Sequence, residues 1–470
     1  MNTLFLPFNA AAFAQSPCLG DHFYGNYGGS KPVSVFIAPQ ACISEVGAFG
    51  SGTILLDSAG GDDASPKELV WIEEQVIDDK IRIDTFKDSL STLLQRVSSA
   101  NSVYLDVQQE VLSTPDHPIS ILYKSETSAL LSLTPEAALS IHTQGLLPPF
   151  LRSSTIPASP ISFVPVPRDA VKRVSHLLET LRFRADVASL VNSISLPHMQ
   201  QDIRYLTGEA HDSPLLSRHS FSDGALTAAS WLKGKFEGTG ASCELRHFSA
   251  GFSPNVVCQY NALENTTATV IVSGHYDSRG SFGNTRAPGG NDDGSGTTAL
   301  LSIARVIGER RVKFRHNVQL VAFAGEEQGL VGSRAYAREL RQLDANITLM
   351  IQADMLAYHD PNEPAQIGFP DVIGTPEVTQ LVANASAIYS PELMIGVTPA
   401  CCSDHQSFHE QGFPATQVYE RAGPILDPMY HNSGDLSDRS GYDLKQVRSI
   451  AKVQFATLLH AAGFELPIID

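Results

Sequence analysis

The sequence predicts an α/β protein whose larger part is a three-layer α/β/α sandwich, with helices on both faces of a mixed, mostly parallel central sheet. Three observations predict it. Strand-like apolar runs alternate with helical segments from Asp169 onward. Polar clusters stand directly after those runs, where open α/β sheets bind their ligands. Residues 1–165 lack the alternation and read as an N-terminal α+β or β-rich region.

Taken in order, the chain starts with an apolar segment ending in Ala12-Phe13-Ala14, the small-residue pattern of an export-signal cleavage site, so 1–14 is read as a signal segment despite its missing basic start. Residues 15–165 hold short β-type runs, Ser34–Ala38 and Ile119–Tyr123, separated by turn-rich stretches such as Asp57–Asp63. A Pro-rich stretch from Pro148 to Pro167 marks a domain boundary, and 170–470 is the larger domain that follows it. There, apolar residues at three- and four-residue spacing through Leu177, Leu178, Leu181 and Phe183 predict a helix. Ser222-Asp223 opens a second helix. Thr269–Ser273, Val318–Phe323, Leu349–Gln352 and Gln417–Tyr419 read as strands. Gly296–Ile307, Ser333–Leu343 and Leu444–Leu459 read as helices.

The 470 residues suit two or three domains. A net charge of −17 argues against nucleic acid as a partner, because phosphate backbones demand basic patches. No apolar run reaches the ~20 residues of a membrane span. Three N-x-[ST] sequons, at Asn265, Asn346 and Asn384, favour a secreted, extracellular glycoprotein. Six cysteines permit three disulfides. Cys243 and Cys258 flank a hairpin and are the first expected pair; Cys401 and Cys402 are adjacent, and buried free thiols are the other reading.

Five clusters carry chemistry. In Gly274-His275-Tyr276-Asp277-Ser278, an imidazole at a strand end can bind a metal while Asp277 folds back onto its other nitrogen. Asn291-Asp292-Asp293-Gly294 puts two carboxylates in a Gly-rich turn before a helix. In Gly325-Glu326-Glu327-Gln328-Gly329, one carboxylate can bind metal while its neighbour, its pKa raised by like charge, moves a proton. Asp354 ends a strand, and His431 follows Tyr430 in a loop. Each is ordinary alone. Together they supply His, Asp, Glu, Asp and His, which matches two divalent cations sharing one bridging carboxylate, with zinc suited to the mixed N/O donors. No His-Glu-x-x-His helix is present, which speaks against a single-zinc thermolysin-like site.

This ordered set resembles the co-catalytic zinc aminopeptidases, the family of secreted bacterial and fungal leucyl aminopeptidases related to glutamate carboxypeptidase and the transferrin receptor, over residues 175–466. The resemblance implies the zinc exopeptidase fold and two zinc ions per chain. It implies that Asp292 bridges both ions, that His275 and Asp354 complete one, and that Glu327 and His431 complete the other. It makes Glu326 the general base, Tyr430 a donor to the oxyanion, and Asp277, Asp293 and Asp404 supports behind the ligands, with a cis Asp292–Asp293 peptide. The implied activity is hydrolysis of the N-terminal bond of peptides with a free α-amine, with apolar residues such as Leu preferred. Residues 15–165 match no part of that catalytic domain, so an inhibitory prosegment and a retained accessory domain are both open. Rival readings are a single-zinc glutaminyl cyclase, a carboxypeptidase or dipeptidase, for which no basic pocket can be located, and a binding protein on a dead peptidase fold.

Overall fold

The computed structural model describes residues 2–7, 16–28, 31–45, 53–55, 66–102, 119–161 and 163–467. The Ala12-Phe13-Ala14 triplet and the Asp57–Asp63 turn lie outside them. The chain divides into two units, Met1–Phe163 and Val164–Asp470.

The first unit is built on two four-stranded antiparallel sheets. One contains β1 (Asn2–Pro7), β2 (Phe23–Tyr27), β3 (Val33–Ala38) and β4 (Thr53–Leu55), in the order β2-β3-β1-β4. The segment read as an export signal thus forms an inner strand over Asn2–Pro7, with Leu4, Phe5 and Leu6 buried. The other contains β5 (Glu68–Glu74), β6 (Ile119–Lys124), β7 (Ser128–Leu133) and β8 (Leu151–Thr155), in the order β6-β7-β5-β8. Phe5 and Tyr27 of the first sheet pack on Trp71 of the second, with ring centroids 6.0 and 5.7 Å away. Helices Phe86–Ser102 and Pro135–Thr143 cover the second sheet through Leu90, Leu93, Ala137 and Ile141. A disulfide joins Cys18 to Cys42.

The second unit is the three-layer sandwich. Its sheet contains β9 (Ser242–Arg246), β10 (Asn255–Tyr260), β11 (Thr269–His275), β13 (Asn317–Phe323), β14 (Ile347–Ala353) and β17 (Ala415–Val418), in the order β17-β14-β11-β13-β10-β9. The four strands β17, β14, β11 and β13 run parallel; β10 and β9 add antiparallel edges. Cys243 and Cys258 face each other across β9 and β10 and form the expected disulfide. A two-residue pair, β12 (Lys313–Phe314) with β18 (Phe464–Glu465), and a parallel pair, β15 (Gln366–Pro370) with β16 (Met394–Thr398), complete the unit.

The period of two in the strands divides the core. Val256, Cys258, Val270, Val272, Leu320, Leu349 and Ile351 face helices Asp223–Glu237, Gly294–Glu309 and Leu444–Ala462. The intervening Val257, Ile271, Val321 and Met350 face helices Val331–Gln342 and His405–Glu410. Strands buried on both faces read as continuous apolar runs, which is why the sequence exposes them. The helix starts are capped as their sequences suggest. Ser222 Oγ accepts the N–H of Ala225, and Asp443 accepts those of Lys445 and Gln446.

Candidate metal centre

The C-terminal ends of three neighbouring parallel strands lie side by side. His275 ends β11 and stands opposite Phe323 at the end of β13; Ser273 pairs with Gln352, which brings Asp354 level with His275. Glu326 and Glu327 follow β13 after Gly325, whose φ of +72° turns the chain sharply. The turn 291–293 and the loop carrying His431 close in from either side.

The structure brings His275, Asp292 and Asp354 into one group of donors and Asp292, Glu327 and His431 into another, with each group's donor atoms within 4.8 Å of one another. Asp292 is common to both. His275 Nε2 lies 3.2 Å from Asp292 Oδ1 and 3.7 Å from Asp354 Oδ1. His431 Nε2 lies 3.2 Å from Asp292 Oδ2 and 2.9 Å from Glu327 Oε2. Tetrahedral ligands about 2.0–2.1 Å from a zinc ion stand about 3.3 Å apart, so the spacing fits a cation in each group. His275 Nε2 and Glu327 Oε1 are buried with no hydrogen-bond partner among the described residues, which fits them as donors to a cation. Mixed imidazole and carboxylate donors suit zinc.

The electrostatics agree. Burial opposes charge on His275, yet Asp277, Asp292 and Asp354 outweigh it and hold the imidazole's pKa well above its ordinary value. Burial also disfavours the Asp292 carboxylate, but His275 and His431 overcome this and hold its pKa below the usual range. Burial raises Glu327. Carboxylates packed this closely draw positive charge inward, as protons on imidazole or as a metal.

The supporting residues are tied to these donors by specific contacts. His275 Nδ1 lies 3.1 Å from the Asp277 main-chain carbonyl, its hydrogen-bond partner, and 3.4 Å from the Asp277 carboxylate. That carboxylate also accepts Ser220 Oγ–H and the N–H groups of Glu326 and Glu327. Asp293 accepts the N–H groups of His275, Gly296 and Met355, joining β11, a helix start and the end of β14. A Cβ on Gly296 would stand 2.5 Å from the Asp293 carboxylate, so this position requires glycine. The Asp292–Asp293 peptide is cis. Asp404, which burial pushes up to about 7, stands outside both donor groups and accepts from the Gln352 amide. Gln352 also accepts from Ser273 Oγ. Cys401 and Cys402, just before it, are bonded to each other. Glu326 and Tyr430 are buried at the centre, and the Tyr430 ring stacks on that of His431 with centroids 3.7 Å apart.

Two arginines escape the sequence reading. Arg218 is fully buried and donates to the carbonyls of Leu206, Tyr276, Pro288 and Gly289, stapling the His275 and Asp292 loops together. Nothing near Arg218 in sequence signals this; only folding brings it under the loops. Arg279 is buried with Nη1 2.8 Å from His431 Nδ1. It stands two residues beyond Asp277 in the first motif, and a charged residue in so enclosed a loop was the available clue.

Residues 255–457 match the model of peptidase family M28. A probable leucine aminopeptidase of Arthroderma otae is 25% identical over 295 residues, covering 60% of this chain and 77% of that protein. Leucine aminopeptidase 1 of Chaetomium globosum is 26% identical over 321 residues, covering 64% and 75%. Among solved structures, the LapA aminopeptidase of Legionella pneumophila is similar with a TM-score of 0.57 and 18% identity, covering 86% of this chain and all of that one. LapB of the same organism gives 0.58 and 16%, covering 85% of this chain and likewise all of that one. These two likenesses concern the fold. With the family match over residues 255–457, the relatives and the paired donor groups together, the chain is a peptidase of the aminopeptidase type whose second unit resembles peptidase family M28.

Proposed function

We propose that the protein is an exported di-zinc aminopeptidase that hydrolyses the N-terminal bond of peptides with a free α-amine, with apolar first residues such as Leu preferred. The observation that carries this reading is the pair of donor groups sharing Asp292. His275, Asp292 and Asp354 would hold one zinc ion, and Asp292, Glu327 and His431 the other. Bound there, two divalent cations supply Lewis acidity and lower the pKa of water. Glu326 takes the proton from the attacking water and delivers it to the nitrogen of the leaving amine. Its backbone N–H, held by Asp277, keeps it beside Glu327. Tyr430 donates a hydrogen bond to the oxygen that gains charge as the carbonyl becomes tetrahedral. Carboxylates around Asp292 receive the substrate's ammonium group, which favours exopeptidase action.

Three disulfides among the described residues support export. Asn265 and Asn346, in exposed loops, suit glycosylation; Asn384 is half-buried on a helix. The first unit acts as an inhibitory prosegment in this reading, so cleavage after it raises the rate; equal rates before and after remove that part.

A panel of aminoacyl and N-blocked substrates, with and without chelator, tests the whole. Cleavage of free-amine substrates only, lost with chelator, is expected. Cleavage of blocked peptides overturns the aminopeptidase reading, and one zinc per chain favours a glutaminyl cyclase.

A further inference from the structure

The small parallel pair of β15 and β16 flanks the metal centre. β17 ends at Val418, whose carbonyl accepts the N–H of Asp354. The next residue, Tyr419, exchanges main-chain hydrogen bonds with Gly368 of β15. Gly368 in turn stands level with Gly396 of β16. β16 is therefore abreast of Asp354, three strand spacings or about 14 Å away. Solvent reaches the centre on this side: Asp354 has 13% of its side chain exposed, against 7% or less for the other four donors.

Among the described residues β16 pairs with β15 alone, which leaves its outer edge open. Met394 donates its N–H to the Ala365 carbonyl just ahead of β15. Strand alternation then turns the N–H and C=O groups of Ile395 and Val397 outward. Met394-Ile395-Gly396-Val397-Thr398 carries no charge, in a chain of net charge −17. Met394, Ile395 and Val397 are 48, 41 and 59% exposed. Proteins ordinarily blunt such an edge with charge, proline or a covering segment. An apolar edge left open can instead receive an extended peptide as one more strand, held by main-chain hydrogen bonds. A peptide is also what a peptidase must bring to the neighbouring centre.

We propose that the outer edge of β16 binds the downstream part of long peptide substrates as an added strand, through the main chain of Ile395 and Val397. The inference rests on the aminopeptidase reading above. At about 3.3 Å per residue, a peptide whose first residue lies at the donor groups reaches the slot beyond β16, a fourth spacing out, after about six residues. Contacts so far from the reacting bond are the same before and during the reaction, so they lower KM and leave kcat unchanged. The substrate class is therefore peptides long enough to span both places, selected by main chain more than by side chain.

A series of free-amine peptides beginning with Leu, from dipeptide to dodecamer, assayed with the full-length chain and zinc, tests it. kcat/KM is expected to rise at least about tenfold between about five and about nine residues, carried by KM. Methylating one alternate set of downstream peptide nitrogens removes the gain and methylating the other set spares it, because only one set faces β16. Val397→Pro, which deletes an outward N–H, removes the gain while leaving the dipeptide rate within about twofold. A flat length series, a gain carried by kcat, or a gain that survives methylation of either set overturns the proposal, whether or not Val397→Pro folds. Dimers in sedimentation that Val397→Pro disperses place a second copy on the edge and overturn it as well. Failure to cleave any free-amine peptide, short or long, overturns the aminopeptidase reading itself, which separates the two failures.

Discussion

The carboxylate of Asp435 accepts the main-chain N–H of Asp292 at 3.0 Å, so the loop that carries His431 also fixes the carboxylate common to both donor groups. Asp435 accepts the Asn291 N–H as well, and Arg439 donates to both Asp435 and Asp427. Replacing Asp435 by Ala frees the turn from this loop. Loss of such supports typically costs about 10–100-fold in metal affinity or activity. The Asp435→Ala protein is expected to show that loss in zinc affinity, measured by chelator competition, with kcat falling alongside.

Asp277 is expected to behave similarly for a different reason. Its carboxylate accepts two main-chain N–H groups and a hydroxyl, and an Asn amide would turn one donor onto another. Asp277→Asn should lower kcat about 10–100-fold, because Glu326 and Glu327 lose their common anchor. An unchanged kcat would mean that the Glu326–Glu327 turn holds itself.

Glu326→Gln separates proton transfer from metal binding. The amide keeps the side chain's size but takes no proton, so turnover should fall at least about 100-fold, within the usual range for a positioned base. Zinc content by atomic absorption should be unchanged, since Glu326 belongs to neither donor group.

Gly296 tests the backbone. Its missing Cβ leaves room for the Asp293 carboxylate, which would otherwise stand 2.5 Å away. Gly296→Ala is expected to cost about 1–3 kcal/mol in denaturant unfolding, in the range of overpacked core positions.

Acid sensitivity has an identifiable source away from the centre. Burial pushes His409 down to about 4, and burial, followed by Arg184, does the same to His460, whose ring meets Tyr389 Oη. The unfolded chain takes up these protons near pH 6.5 and the folded chain near 4. The stability contributed by neutral rings is therefore complete above about pH 6.5, falls as the pH drops, and levels off below about 4. His409→Gln should flatten that slope in urea midpoints measured from pH 7 to 4, with His460 adding a smaller share because it is less enclosed.

What the sequence revealed follows from which forces are local. The runs at Thr269–Ser273 and Val318–Phe323 are apolar throughout because parallel strands are buried on both faces, and they appear as β11 and β13. Ser222 announced its helix because an N-cap needs only its next few residues. The candidate donors were legible because each sits inside a distinctive short motif, and His275, Glu327 and Asp354 also stand at or just after strand ends. Arg218, Gln352 and Asp435 were not read this way, since their partners lie 12 to 71, 51 to 79 and 143 to 144 residues away for the main contacts of each. Asp277 was read correctly as a neighbour of His275, but its hold on Glu326 and Glu327 is a long-range contact that spacing alone does not disclose.

Arg218 gives the molecule a property distinct from catalysis. Four main-chain carbonyls from three separate stretches converge on one guanidinium that is closed off from solvent. The loops that would cradle the ions are thus cross-braced by the polypeptide itself, before any ion arrives. A zinc finger collapses when stripped of metal because the ion is its core. Under the two-metal proposal the braced loops are therefore expected to outlast the ions, so that a chelator idles the protein without unravelling it and added zinc restores work without refolding.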